Sequence, residues 1–319
     1  MRDLTIAVVG SAFADITIRT PRLPHSGENL YVDELTSTAG GKGSNAAITL
    51  ARHGARVHLI TNVGADPAGE QVRAALAAEG IGLSGLGCDP EIATGTVVML
   101  AEASGETCYL AYPGASRTLS AAAVEERLAP LLPGLDAVYL NLEAPEEALL
   151  AAARLSRRHG VPLYVDAGPE RPMPPALWSH AALLSPNLSE AAVHAGMAIA
   201  TLRDAERAAR VLLAQGPALV VVKLGEQGAL LVADRGSERI PAFTVPVVDP
   251  AGAGDAFTAG LAWALLQGQP PPDAVRWANA CGALVVSRLG TAPAMPSREE
   301  VSAFLAASRR AAGSSGRSS

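Results

Sequence analysis

Cysteine is scarce in this sequence. The three that occur in 319 residues, Cys88, Cys108 and Cys281, stand far apart and form no C-x-x-C pair. An odd, scattered set excludes a disulfide framework and fits a reducing cytoplasm. The six histidines include no H-x-H and no H-E-x-x-H, which argues against a zinc site. No stretch offers 18 uninterrupted apolar residues, so no membrane helix is expected. The opening MRDLTIAVVGSAFAD is too short in its apolar run, and too soon acidic, for a secretory signal. Excess positive charge is missing too. The formal net charge is -6, which speaks against a nucleic-acid surface while leaving room for a local basic pocket.

Apolar material is ample: 49% of residues are hydrophobic and 18% charged, so a sizeable core can form. The length suits one large α/β domain or a core with a small appendage. LTIAVVG (4–10) is a β-branched run like a strand buried on both faces. GSNAAITLARHG (43–54) reads as a helix closed by Gly54, RVHLITNVG as a strand, and AGEQVRAALAAEG (68–80) as an amphipathic helix. AVYLNL, VPLYVDAG, AALLSPN and ALVVVKLG read as further strands, with helices in EEALLAAARLSRRHG and TLRDAERAARVLLAQG. This alternation predicts an α/β fold with a mainly parallel sheet and helices on both faces. Two stretches break the rhythm. Residues 16–40 lack a helix, and residues 95–114 form two strand-like runs about a turn near 104–106. Both read as antiparallel β insertions, suited to a lid or to a plain extension of the sheet. The tail from 308 to 319 is small and polar, and is expected to be disordered.

Ligands of open α/β sheets bind at the carboxyl ends of strands. Polar groups follow the expected strands there: Asp15, Glu143, Asp166, Asn187 with Glu190, and Lys223 with Gly225. FTVPVV, read as one more strand, runs into Asp249. In VVDPAGAGDAF the glycines let successive N–H groups converge, and the following helix adds its free N–H groups and dipole. The result suits an anion such as a transferring phosphoryl group, with Asp255 placed to take a proton from a hydroxyl. TAGGKGSNAA (38–47) is a second small-residue loop opening a helix; Gly40, Gly41 and Gly43 permit close approach, and Asn45 can pair with sugar hydroxyls. It is neither a P-loop nor a dinucleotide fingerprint.

Together, GGKGSNAA and DPAGAGDAF resemble the two signatures of the PfkB-type carbohydrate kinases, the ribokinase-like family. The resemblance runs from about residue 4 to 307, with GSAFAD, NLEAP, SPNLSE, KLGEQG, RWANACGA and SRLGTAPAMP as landmarks in order. It implies a three-layer kinase domain over residues 1–307 with a small β lid. It also implies transfer of the γ-phosphoryl of ATP to a primary hydroxyl of a pentose-type sugar. A nucleoside kinase of the same family, or a non-catalytic sugar or nucleotide sensor, are the alternatives.

By the same resemblance Asp255 is the base, and the backbone of Gly252, Ala253 and Gly254 is the anion hole. Asp15, Gly41, Lys42, Asn45 and Glu143 contact the sugar. Asn187 and Glu190 position Mg²⁺ through water. Lys223, Gly225, Gly228, Gly254 and Asn279 meet the nucleotide. Asp249 and the carbonyls of Ala251, Val285, Arg288 and Gly290 hold a monovalent cation, K⁺. A homodimer through the lid is implied as well. Two positions depart from the family pattern. Pro250 replaces a threonine, at the cost of an N–H and a hydroxyl. Phe13 replaces an asparagine that contacts the sugar, so the wall there suits a deoxy position or a base, unless the ring turns into the core.

Overall fold

The computed structural model describes residues 2–32, 34–102 and 107–315, with side chains through 310. The turn expected near 104–106 lies outside these. The strands are β1 (Thr5–Val9), β2 (Phe13–Thr20), β3 (Glu34–Gly40), β4 (Arg56–Gly64), β5 (Leu86–Asp89), β6 (Gly95–Glu102), β7 (Thr107–Tyr112), β8 (Ala137–Asn141), β9 (Leu163–Asp166), β10 (Leu183–Ser185), β11 (Val220–Lys223), β12 (Ala229–Ala233) and β13 (Gly236–Ile240). The helices are α1 (Lys42–Arg52), α2 (Pro67–Ala78), α3 (Ala121–Leu128), α4 (Glu146–His159), α5 (Leu188–Ala195), α6 (Leu202–Leu213), α7 (Ala253–Leu266), α8 (Pro271–Val286) and α9 (Arg298–Ser315).

The core sheet runs β13-β12-β11-β10-β9-β8-β1-β4-β5. Its pairs are parallel except at the β11-β12-β13 edge. β1 shows why an unbroken apolar run was needed. Ile6 and Val8 enter the core under α1, α7 and α8, while Ala7 and Val9 enter the opposite core under α3, α4 and α6. Strand order reverses at β1, between β8 and β4, and the crevice beyond such a switch point is where ligands bind. A buried pin fixes the helices on that side. The Trp277 indole donates to His53 Nε2 at 3.2 Å, and His53 Nδ1 meets the Thr49 carbonyl at 2.7 Å. Burial holds His53 down to about 4, so the ring stays neutral and α1 stays tied to α8.

The second sheet, β3-β2-β6-β7, contains both stretches expected to form a lid, and is called the lid. Each insertion is an antiparallel hairpin, but the two join through a parallel β2-β6 pair. The lid starts at Phe13 rather than 16, so Asp15 stands on a lid strand and not at a core strand's tip. Alternation gives the lid two faces. Phe13, Asp15 and Thr17 line up with Gly95, Val97 and Met99 on one, and Tyr109 follows Met99. On the other, Leu35 and Leu110 are 60% and 63% exposed.

One expectation fails here. FTVPVV is not a strand: Pro246 interrupts any ladder, and the amides of Val248 and Asp249 bond instead to the Val286 carbonyl at the end of α8. The backbone of α9 continues past 308 to Ser315, on a run rich in alanine and arginine, and residues 316–319 of the tail expected to be disordered lie outside the described residues. The β12-β13 hairpin, α5 and α8 had no counterpart in the sequence reading. No helix among the described residues is long and apolar enough to cross a membrane.

Candidate active site

Glycine sets the first half of the site. A β-carbon on Gly43 would fall 2.5 Å from the Ser11 carbonyl, so only glycine lets α1 start against the chain leaving β1. The Ser44 amide then bonds Ser11 O at 3.0 Å. This contact aims Lys42 and Asn45 at the start of α7. There Asp255 accepts from Asn45 Nδ2 at 2.8 Å and pairs with Lys42 Nζ at 3.2 Å. Both carboxylate oxygens are occupied. Asp255 foremost holds the Lys42 ammonium well above the usual lysine range, against the opposing effect of burial.

Glu143, just past β8, accepts the Ser11 hydroxyl and the Lys42 amide on Oε2, the latter at 3.0 Å. Burial pushes its carboxyl up, opposed by Lys42 and Ser11. Asp15 is more perturbed. Oδ2 accepts the Thr291 hydroxyl at 2.6 Å, whereas Oδ1 is buried with no partner among the described residues. Burial, opposed by the Thr291 bond and reinforced by repulsion from Glu143, Asp255 and Asp249, raises it to about 7. Phe13, Asp15, Gly41, Lys42, Asn45, Glu143 and Asp255 line one pocket, closed on the lid side by Val97, Met99 and Tyr109. Phe13 meets both readings of its role. It lines this pocket, yet it is only 4% exposed, because its ring lies on Gly95 and Gly41.

A second pocket holds Lys223, Gly225, Gly228, Ala253, Gly254 and Asn279, walled by Phe243, Val247, Phe257 and Val286. It is the larger of the two, about 1400 Å³ against about 700 Å³ with solvent-open space included. The start of α7 divides the two: Asp255 faces one, Ala253 and Gly254 the other. The loop 250–253 is a type II turn with Gly252 at φ 77. Its closing bond runs from the Ala253 amide to the Pro250 carbonyl at 3.3 Å, so this amide, expected in the anion hole, is engaged. No acceptor among the described residues takes the amides of Gly252, Gly254 and Asp255. Free amides at a helix start are of the kind that can receive an anion.

Lys223 does not stand free. Its Nζ pairs with Asp166 at 2.7 Å and lies 3.8 Å from Glu190. Burial would lower it, but the carboxylates prevail and raise it. Asp166 appeared in sequence only as one of several strand-end polar groups, since nothing local pairs it with Lys223. Ser11, Tyr109 and Thr291 were not singled out at all. Asn279 donates to the carbonyls of Ile240 and Pro241, which leaves its oxygen for the pocket.

Asn187 and Glu190 form a reciprocal capping box on α5, and Glu190 Oε1 makes no hydrogen bond among the described residues. No three His, Cys, Asp or Glu side chains gather to hold a metal among the described residues. One buried carboxylate beside an amide fits a cation that keeps its water and takes phosphate ligands. Asp249 accepts the amides of Ala251 and Gly290, each at 2.9 Å, with the Tyr109 hydroxyl at 3.4 Å. It is buried without an ion pair among the described residues, which fits a monovalent cation beside it. Val285 and Arg288 are joined to each other at the end of α8, their amide–carbonyl bond 3.0 Å long, and no bond links either to Asp249.

The sequence profile described as pfkB family carbohydrate kinase matches residues 3–298. The chain is 30% identical over 301 residues to a ribokinase of Haemophilus influenzae, covering 94% of this chain and 98% of that one. It is 29% identical over 303 residues to a deoxyribokinase of Salmonella typhi, covering 95% and 99%. The solved structure of Arabidopsis thaliana ribokinase complexed with ribose and ATP superposes with a TM-score of 0.85 at 29% identity, over 95% of this chain and 99% of that one.

Proposed function

The chain belongs to the pfkB family of carbohydrate kinases, and from that premise we propose an ATP-dependent kinase acting on the primary hydroxyl of a pentose. The observation that carries the reading is Asp255, a carboxylate at a helix start where the smaller pocket, lined by Asp15, Lys42, Asn45 and Glu143, meets the larger one.

The sugar hydroxyl takes the place of one partner on Asp255, which accepts its proton. The freed oxygen attacks the γ-phosphorus in line, and ADP departs with the electron pair of the broken P–O bond. The free amides at the start of α7 receive the phosphoryl charge, and Lys42, held protonated, offsets it. Lys223, Gly225, Gly228 and Asn279 receive the nucleotide. Asn187 and Glu190 would hold magnesium through water, and the bound ion would neutralise charge on the phosphates. The burial of Asp249 with no ion pair among the described residues supports K⁺ there, which the carbonyls of Ala251, Val285, Arg288 and Gly290 would help to hold. The exposed apolar outer face of the lid supports a homodimer; sedimentation at the monomer mass would count against it. Free cysteines throughout support a cytoplasmic setting.

Phe13 decides the preferred pentose. Its ring offers no partner to a hydroxyl, and at 4% exposure it offers little face for stacking a base. The pocket therefore favours a deoxypentose over ribose, and either over a nucleoside. The test is ADP release with 2-deoxyribose, ribose and deoxynucleosides. Deoxyribose is expected to lead; no release with any pentose would refute the reading.

A further inference from the structure

We propose that Arg171 is a positioning residue for the sugar, acting through the backbone on either side of Glu143. The inference rests on the reading of Glu143 as a sugar contact. Arg171 stands in the loop after β9 and touches neither pocket. Its Nε donates to the Leu142 carbonyl at 3.0 Å and its Nη2 to the Ala144 carbonyl at 2.5 Å. One planar guanidinium therefore spans the residues before and after Glu143, a geometry a lysine ammonium cannot match.

Two other hydrogen bonds act on the near side of Glu143, while on the far side Ala144 is buried and the Pro145 carbonyl accepts the Leu149 amide of α4 at 3.1 Å. The Leu142 amide bonds the Gly168 carbonyl at 2.8 Å, and the Glu143 amide bonds Asn141 Oδ1 at 3.2 Å. Beyond Glu143 the chain passes Ala144 to Pro145, which has no amide to give. No other donor reaches the carbonyls of Leu142 and Ala144 among the described residues. The carboxylate is then held by Ser11 and Lys42 on Oε2 alone, so its other oxygen points where the backbone aims it. Small errors in such a first contact are expensive, because a misplacement of about 1 Å can cost about 100-fold.

The nucleotide side offers the internal control. The same loop begins at Asp166, whose carboxylate holds Lys223. A role confined to Glu143 moves sugar affinity and spares the nucleotide. A general loss of loop structure moves both.

The experiment measures KM for the preferred pentose, KM for ATP, kcat and thermal midpoint in Arg171→Met, Arg171→Lys and Glu143→Gln. In Arg171→Met the sugar KM is expected to rise about 10-fold with KM for ATP unchanged within about 2-fold. Arg171→Lys, able to serve one carbonyl, should fall between the two proteins. A sugar KM that stays at the wild-type value in Arg171→Met while Glu143→Gln raises it overturns the proposal and leaves the function standing. Equal losses in both KM values overturn it as well. If Glu143→Gln also leaves the sugar KM unchanged, the premise fails and the proposal with it.

Discussion

Phe13→Asn is the substitution that separates a specificity wall from a packing residue. The ring lies opposite Gly95 in the lid register, and a β-carbon there would sit 2.3 Å from Phe13 Cδ1. Its removal opens a void in a buried place. Full truncation of a buried phenylalanine costs about 3–5 kcal/mol, and asparagine fills part of that space, so a clear drop in thermal midpoint is expected. Specificity moves separately. A sugar hydroxyl left against the ring without a partner costs about 1–3 kcal/mol. That is about 5- to 150-fold in kcat/KM at about 1.4 kcal/mol per decade. Wild type should prefer 2-deoxyribose to ribose within that range, and Phe13→Asn should lose most of the preference. Both sugars are presented together, well below the midpoint of the variant, and the two phosphorylated products are counted. The product ratio is independent of how much protein remains folded. A wild type that prefers ribose, with an unchanged ratio in the variant, would show that Phe13 only packs.

Two further outcomes follow from the charges in the pocket. Asp15, raised to about 7, carries a proton below that pH and cannot then accept from a sugar hydroxyl with full charge. The sugar kcat/KM should therefore rise as pH passes up through about 7, and Asp15→Asn should abolish that limb; a limb that persists assigns it elsewhere. The linked effect on stability has the opposite sense. Between its ordinary value of 3.8 and about 7 the folded state holds a proton that the unfolded chain releases. This group's contribution to ligand-free stability falls as pH rises across that window, and Asp15→Asn should flatten the fall in a thermal melt. At Asp249, KCl should support faster turnover than NaCl at equal ionic strength, and equal rates would contradict a selective cation site.

The sequence was legible where local pattern and fold agree. β1, β4 and α1 follow their apolar periods because each is covered on the faces those periods imply. The pocket residues Asn45 and Asp255 could be named because small-residue loops at helix starts announce themselves, whereas Lys42 was implied only by the family resemblance. FTVPVV misled for a physical reason. Its apolar residues wall a ligand pocket and meet solvent, as Val247 does at 69% exposure, so hydrophobicity there does not signal a ladder. The pairing of Lys223 with Asp166, 57 positions away, has no local trace. Nor has the grip of Arg171 on the peptides around Glu143, because it uses backbone carbonyls that every sequence supplies. The engaged Ala253 amide likewise depends on a turn geometry that shows only once Gly252 is seen at positive φ.

The role proposed for Asp255 is removal of the proton from the accepting hydroxyl. The most direct measurement is kcat for Asp255→Asn alongside calorimetric binding of ATP and of the sugar. The account predicts turnover lower by about 100-fold or more, since general bases contribute on that order, with both ligands still bound and the fold retained. Turnover near the wild-type rate in that variant would contradict it.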